Sequence, residues 1–308
     1  MPDPILGETA AILAAAMWTA NAILFSAAGK RIGSVGVNAF RIALAVLFLG
    51  ITHVIILGSL LPAANSAQWF WLGISGIVGL GIGDFALFAA YVIIGPKRSL
   101  LLMALAPVCS VVAGYFILEE SLGILSLVGI TITLVGITIV VLERKEEPGD
   151  FVIDKDKRTY GIILGIIGAV GQGVGLVISK YGMVTVADDP SAPLDSISAT
   201  LIRMIIGAIF VWIAVLASGK LPSMIRSYSD THALKLTSAG AFFGPFLGVW
   251  LSMVAITFTE TGIAMTLMSL MPVIVIPLVW VLYKEKTSWR GVAGALVAVT
   301  GVAILFLL

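Results

Sequence analysis

Three ionisable side chains, Arg41, Asp84 and Arg203, stand inside long apolar runs of this 308-residue chain. A charged group in the middle of a bilayer costs about 2.5–3.5 kcal/mol on insertion scales, so it faces protein or water and takes a partner. Arg41 and Asp84 each lie roughly 8–12 Å in from the basic end of their runs, at about 1.5 Å of rise per helical residue. Equal depth and opposite charge make them either an ion pair locking two helices or the two halves of a substrate site. A zwitterionic ligand would suit such charges in a low-dielectric cavity. Arg203 has no acid at a matching place and is expected to snorkel toward Asp195 or Glu260. Trp18, Asn21, Gln172 and Trp250 add uncharged polar and aromatic groups within apolar runs. In lipid, Asn and Gln require hydrogen-bond partners, and tryptophan can wall a cavity while its N–H orients a ligand. Interhelical packing is the competing role for these four.

The candidate substrate-binding set is therefore Trp18, Asn21, Arg41, Asp84, Gln172, Arg203 and Trp250. Pro107 and Pro272 lie inside apolar runs, where a missing backbone donor bends a helix and frees carbonyls, so they read as hinges or as fixed kinks. Glu119, Glu120 and Glu285 read as solvated turn or capping groups. The Met-rich stretch from Met265 to Pro272 reads as core packing or an adaptable apolar wall. One cysteine, Cys109, precludes an intrachain disulfide, and His53 and His232 have no metal-ligand spacing, so no metal and no cofactor are expected. No Walker loop, HExxH or nucleophile elbow occurs, which disfavours ATP-driven pumping and familiar hydrolytic chemistry.

These residues are carried by a chain with too little polar surface for a water-soluble globule. The AVILMFWYC set makes up 59% and charged residues 11%, against about 45–50% and 25% in ordinary soluble domains. The bilayer is the first partner, and a net charge of +1 argues against nucleic acid. A spanning helix needs about 20 mostly apolar residues. Ten such segments are predicted, at 5–27, 36–57, 68–91, 97–118, 122–142, 159–180, 195–218, 234–257, 261–283 and 288–308. The first has no Lys or Arg ahead of it and reads as a retained helix. The polar stretch from Glu143 to Arg158 is the one long solvated connection. It divides the chain into a first half, 1–147, a charged linker, 148–158, and a second half, 159–308.

The halves repeat. A shift of 165 positions superposes Gly79 on Gly244, Gly83 on Gly248, Pro107 on Pro272, Glu120 on Glu285, Gly129 on Gly294 and Gly136 on Gly301. The same shift sets Asp84 on Val249. Weaker matches near 154 and 162 pair Gly7 with Gly161, Trp18 with Gln172 and Arg41 with Arg203. Five crossings per half force the copies into opposite orientation, the inverted-repeat plan of many secondary transporters. Apart from Arg41, Lys180 and Arg203, every Lys and Arg falls in an odd-numbered connection or within three residues of one. Cytoplasmic loops collect such residues, so both termini are expected outside the cytoplasm.

Each half carries a proline, a glutamate thirteen residues on, and then the glycines of LVGITITLVGITIVV or GVAGALVAVTGVAIL. With Trp18, Asn21 and Arg41, this pattern resembles the EamA-type branch of the drug/metabolite transporter superfamily over nearly the whole chain. The resemblance implies an all-α membrane protein of ten transmembrane helices in two inverted five-helix repeats around a central cavity. It implies a secondary transporter in the cell membrane moving a small metabolite, an amino acid or a related compound, with efflux the expected direction. Protons are the candidate coupling ion. Members commonly keep both termini in the cytoplasm, opposite to the charge pattern here. The small multidrug relatives use a first-helix glutamate that AILAAAMW lacks, so their proton-coupled cation antiport is not carried over. A lipid-carrier flippase, or a membrane enzyme acting on a lipid-linked substrate, is the alternative.

Overall fold

Gly33, with φ +76°, divides what is otherwise an unbroken helical run from Pro4 to Leu57. That left-handed backbone is cheap only for glycine, and it yields two antiparallel helices, α1 (Pro4–Gly29) and α2 (Val35–Leu57). The computed structural model describes residues 4–94, 99, 102–143, 157–188, 193–274 and 289–306, and every regular element among them is helical. α3 comprises Ser66–Ser75, a π-helical stretch Gly76–Gly83, and Asp84–Ile94. α4 (Leu105–Ile117) and α5 (Ile124–Glu143) complete the first half. In the second half α6 (Arg158–Lys180) runs on into π turns Tyr181–Thr185, and α7 is Ser196–Ala217. A short helix, Leu221–Ser227, leads to α8, which comprises Thr231–Ala241, the π-helical Phe242–Gly248, and Val249–Phe258. α9 (Thr261–Met268) and α10 (Trp289–Phe306) follow.

Eight of these helices are long and apolar enough to cross a membrane, while Leu105–Ile117 and Thr261–Ile274 are shorter apolar helices. The latter correspond to predicted segments 4 and 9, parts of which lie outside the described residues, as do Glu285 and most of the 148–158 linker. Within the described parts, each of these two helices carries a break. The chain turns at Ala104, just before Pro107, and at Ser269, just before Pro272. A proline ring clashes with the carbonyl four residues back and cannot donate to it, so the two breaks sit one at each matching proline.

Glycine rows set the helix contacts. A Cβ on Gly136 would lie 2.3 Å from the Ala298 nitrogen, and one on Gly301 would lie 2.7 Å from the Gly129 oxygen. Residue number thus rises along α5 as it falls along α10, so the two helices cross antiparallel. α3 and α6 meet likewise, Gly79 on Gly175 and Gly83 on Gly171. α8 and α1 meet with Gly240 on Phe25, Gly244 on Asn21 and Gly248 on Trp18. Close backbone approach is what glycine provides where lipid supplies no hydrophobic drive between helices.

Side-chain ties hold the ends. At the α1/α2 end, Arg31 Nε donates to Asp230 Oδ2 at 2.7 Å, while Asp230 Oδ1 accepts from the Ala233 N–H and caps α8. The Arg31 hydrogen bond, then the capping N–H, hold this carboxyl below its ordinary range. A lowered value means the tie is complete at neutral pH and is lost as pH falls through it. In detergent, the melting-temperature gap between the wild type and Asp230→Asn should be widest near neutrality and close in acid. A gap constant with pH would show that the charge contributes nothing.

Candidate functional site

Asp84 begins the α-helical part of α3 directly after the π-helical glycines, and its N–H reaches back to the Gly79 carbonyl. Its Oδ2 accepts from Arg41 Nη2 on α2, and its Oδ1 accepts from Gln172 Nε2 on α6 at 2.7 Å. Gln172 Nε2 also lies 3.2 Å from the Gly79 carbonyl. The ion pair is buried, with side-chain exposures of 8% for Arg41 and 12% for Asp84. Arg41 is fixed on every side. Its Nε donates to Asn38 Oδ1 at 2.8 Å, and its guanidinium lies 5.6 Å from the Phe25 ring centroid and 5.1 Å from that of Phe88. Flanking aromatic faces favour a partly desolvated cation. Asp84 is therefore shared between a helix of the first half and a helix of the second.

Three predicted residues, Arg41, Asp84 and Gln172, come together in this network. Trp18 and Asn21 lie over the α8 glycines instead: a Cβ on Gly248 would be 2.4 Å from Trp18 Nε1, and one on Gly244 would be 2.5 Å from Asn21 Cγ. Asn21 Oδ1 is buried without a hydrogen bond. Trp18 packs against both of the larger apolar clusters, and Trp250 joins one of them beside Phe246, at a ring separation of 6.2 Å. Matching residues thus do matching work, since Gln172 covers the α3 glycines as Trp18 covers those of α8.

Arg203 departs from expectation. It does not snorkel to Asp195 or Glu260 but is buried at 4% exposure, its Nη1 lying 3.2 Å from Met253 Sδ. The reason is space: α7 touches α3 at two glycines, with the Arg203 carbonyl against Gly76 and its Nη2 against Gly79. The side chain is held inward, and Asp195 is engaged as the α7 N-cap, accepting from the Ser198 N–H at 2.8 Å.

Glu120 takes the capping role of its two expected roles, and does so across the molecule rather than at its own turn. It is not a solvated turn group: its side chain is 12% exposed and pairs with Lys180 Nζ at 2.7 Å. Its other oxygen accepts from the Thr261 N–H at 3.0 Å and hydroxyl at 2.6 Å, so it caps α9 across the molecule. Lys180 also donates to the Thr259 carbonyl. Sequence reasoning missed Glu8 as well, which is 4% exposed near the start of α1, with Glu260 close enough to act on it electrostatically. The only signal was an acid in the first two turns of a spanning segment; the lone basic residue on the even-numbered side, Lys180, was the signal for the Glu120 tie.

The sequence model of the EamA-like transporter family matches residues 5–142 and again residues 159–307. The chain belongs to the EamA-like transporter family. It is a multi-pass integral membrane protein of a family of transporters. Both halves match the one family model, as the internal repeat requires. A stretch of 81 residues is 35% identical to the probable magnesium transporter NIPA2 of Arabidopsis thaliana, covering 26% of this chain and 23% of that protein. A crystal structure of another protein superposes with a TM-score of 0.74 at 17% identity, over 98% of this chain and 96% of its own. At that identity the likeness is one of fold. It agrees with an EamA-like chain folded as a single bundle from both halves.

Proposed function

We propose that this EamA-like protein is a secondary transporter of a small metabolite, an amino acid or a related compound. It works by alternating access through ten helices in two inverted five-helix repeats, with efflux as the direction and protons as the candidate coupling ion. The observation that carries this reading is Asp84, a buried acid held at once by Arg41 of the first half and Gln172 of the second. A ligand that competes for either partner loosens the contact between halves, which is how binding becomes movement. The antiparallel crossing of α5 with α10 supports the inverted plan, because these helices are repeat counterparts. The matched breaks at Ala104 and Ser269 support Pro107 and Pro272 as paired hinges.

The name of the plant relative raises magnesium as cargo. Asp84 already carries Arg41 as counter-charge, and no group of three His, Cys, Asp or Glu converges among the described residues. A divalent cation would need several oxygen ligands, so an organic metabolite fits this interior better. The test is counterflow of labelled amino acids, other metabolites and magnesium into proteoliposomes, with and without a pH gradient, for the wild type and Asp84→Asn. Exchange of a metabolite that the gradient accelerates and Asp84→Asn abolishes is expected. Exchange that survives Asp84→Asn would make Asp84 structural, and exchange of magnesium alone would replace the metabolite reading.

A further inference from the structure

We propose that the cargo carries an oxyanion, a carboxylate or a phosphate, and that Arg203 is the residue that receives it. This rests on the transporter reading above. The argument is one of charge balance between the halves. Arg41 and Arg203 occupy matching positions, and their surroundings match too: Arg41 lies on Phe88, and Arg203 lies against Met253, which the 165-residue shift places on Phe88. The partner is what differs. Arg41 has Asp84, whereas the equivalent position opposite Arg203 is Val249.

Among the described residues, this pair of matching sites therefore holds two guanidinium groups and one carboxylate. No carboxylate among the described residues forms an ion pair with Arg203, and its Nε is buried without a hydrogen bond. Asp84 acts on Arg203 electrostatically but spends both its oxygens on Arg41 and Gln172. A buried charge is costly unless paired, and guanidinium is the side chain best matched to the planar fork of a carboxylate or phosphate. Asn38 Nδ2 and Asn21 Oδ1 are further buried polar atoms without partners. An oxyanion at Arg203 brings this interior to neutrality, and a bare amine or metal cation would add to its excess of positive charge.

Two measurements decide it. The first is the melting temperature of the full chain in detergent without substrate. Arg203→Met should melt at or above the wild type, since it removes an uncompensated charge, whereas Arg41→Met should melt well below it by stranding Asp84. Equal losses in both would show that Arg203 is already compensated and overturn the proposal. The second is wild-type counterflow with matched compounds: phenylalanine against phenylethylamine and phenylalaninamide, and glucose 6-phosphate against glucose. The acid-bearing member should exchange at least about 100-fold faster, and the series that responds tells carboxylate from phosphate. Arg203→Lys should keep that preference and Arg203→Met should lose it. Faster exchange of the amine or amide overturns the oxyanion proposal while leaving the transporter standing, and no exchange of any compound overturns both.

Discussion

Asp84→Ala is expected to destabilise the protein by about 3–5 kcal/mol, because it leaves the Arg41 guanidinium buried without its counter-charge. Arg41 is 7% exposed and wedged between Phe25 and Phe88, so it has no route to water within its helix. Gln172 Nε2 loses its better acceptor at the same time and keeps only the Gly79 carbonyl. The double variant Asp84→Ala with Arg41→Met should recover most of the loss, since replacing a whole buried pair by apolar groups is often neutral. Thermal unfolding of the four proteins of this cycle in one detergent checks the claim. A double variant no better than Asp84→Ala would show that the aspartate acts through its helix and not through the arginine.

The second large effect belongs to the α5/α10 crossing. Gly136→Ala would set a methyl 2.3 Å from the Ala298 nitrogen and 2.7 Å from the Gly294 oxygen. Both are backbone atoms, which cannot rotate away, so the helices must part along their whole contact. Forcing one methyl into such a place costs about 3 kcal/mol. Gly50→Ala is the control: nothing lies within 4 Å of its added methyl, and the residue is inside α2. There the better helix propensity of alanine should stabilise by up to about 1 kcal/mol. Opposite signs in melting temperature for two Gly→Ala changes would identify contact as the cause. Equal effects would mean that glycine matters here only through backbone freedom.

Much of this architecture was legible because membranes restrict the choices. Apolar runs of about 20 residues had to be helices, and glycines recurring at one shift had to meet other helices. The Arg41–Asp84 pair was legible from matched depth and opposite charge, as one of two readings. Arg203 was misread because depth says how far a residue is from water but not which way it points. Its direction comes from Gly76 and Gly79, residues of another helix that open a space for it. For Glu120 the capping role was legible but its partners were not, because a turn says nothing of which distant element covers it. The tie to Lys180 and Thr261 joins residues 60 and 141 positions away in the chain. Among the described residues, eight of the ten segments appear as helices long enough to span, and parts of the remaining two lie outside the described residues.

The wide turns at Gly76–Gly83 and Phe242–Gly248 also date events in the history of the chain. They fall at the same place in two halves that match one family model, so the simplest ancestry gives them to the single half-sized precursor, before its duplication. The residue that follows each stretch is Asp84 in one copy and Val249 in the other. The irregular backbone is then the inherited part, and the acid is where the twins diverged. One half thus pairs its arginine with a carboxylate, and the other sets its arginine against a methionine.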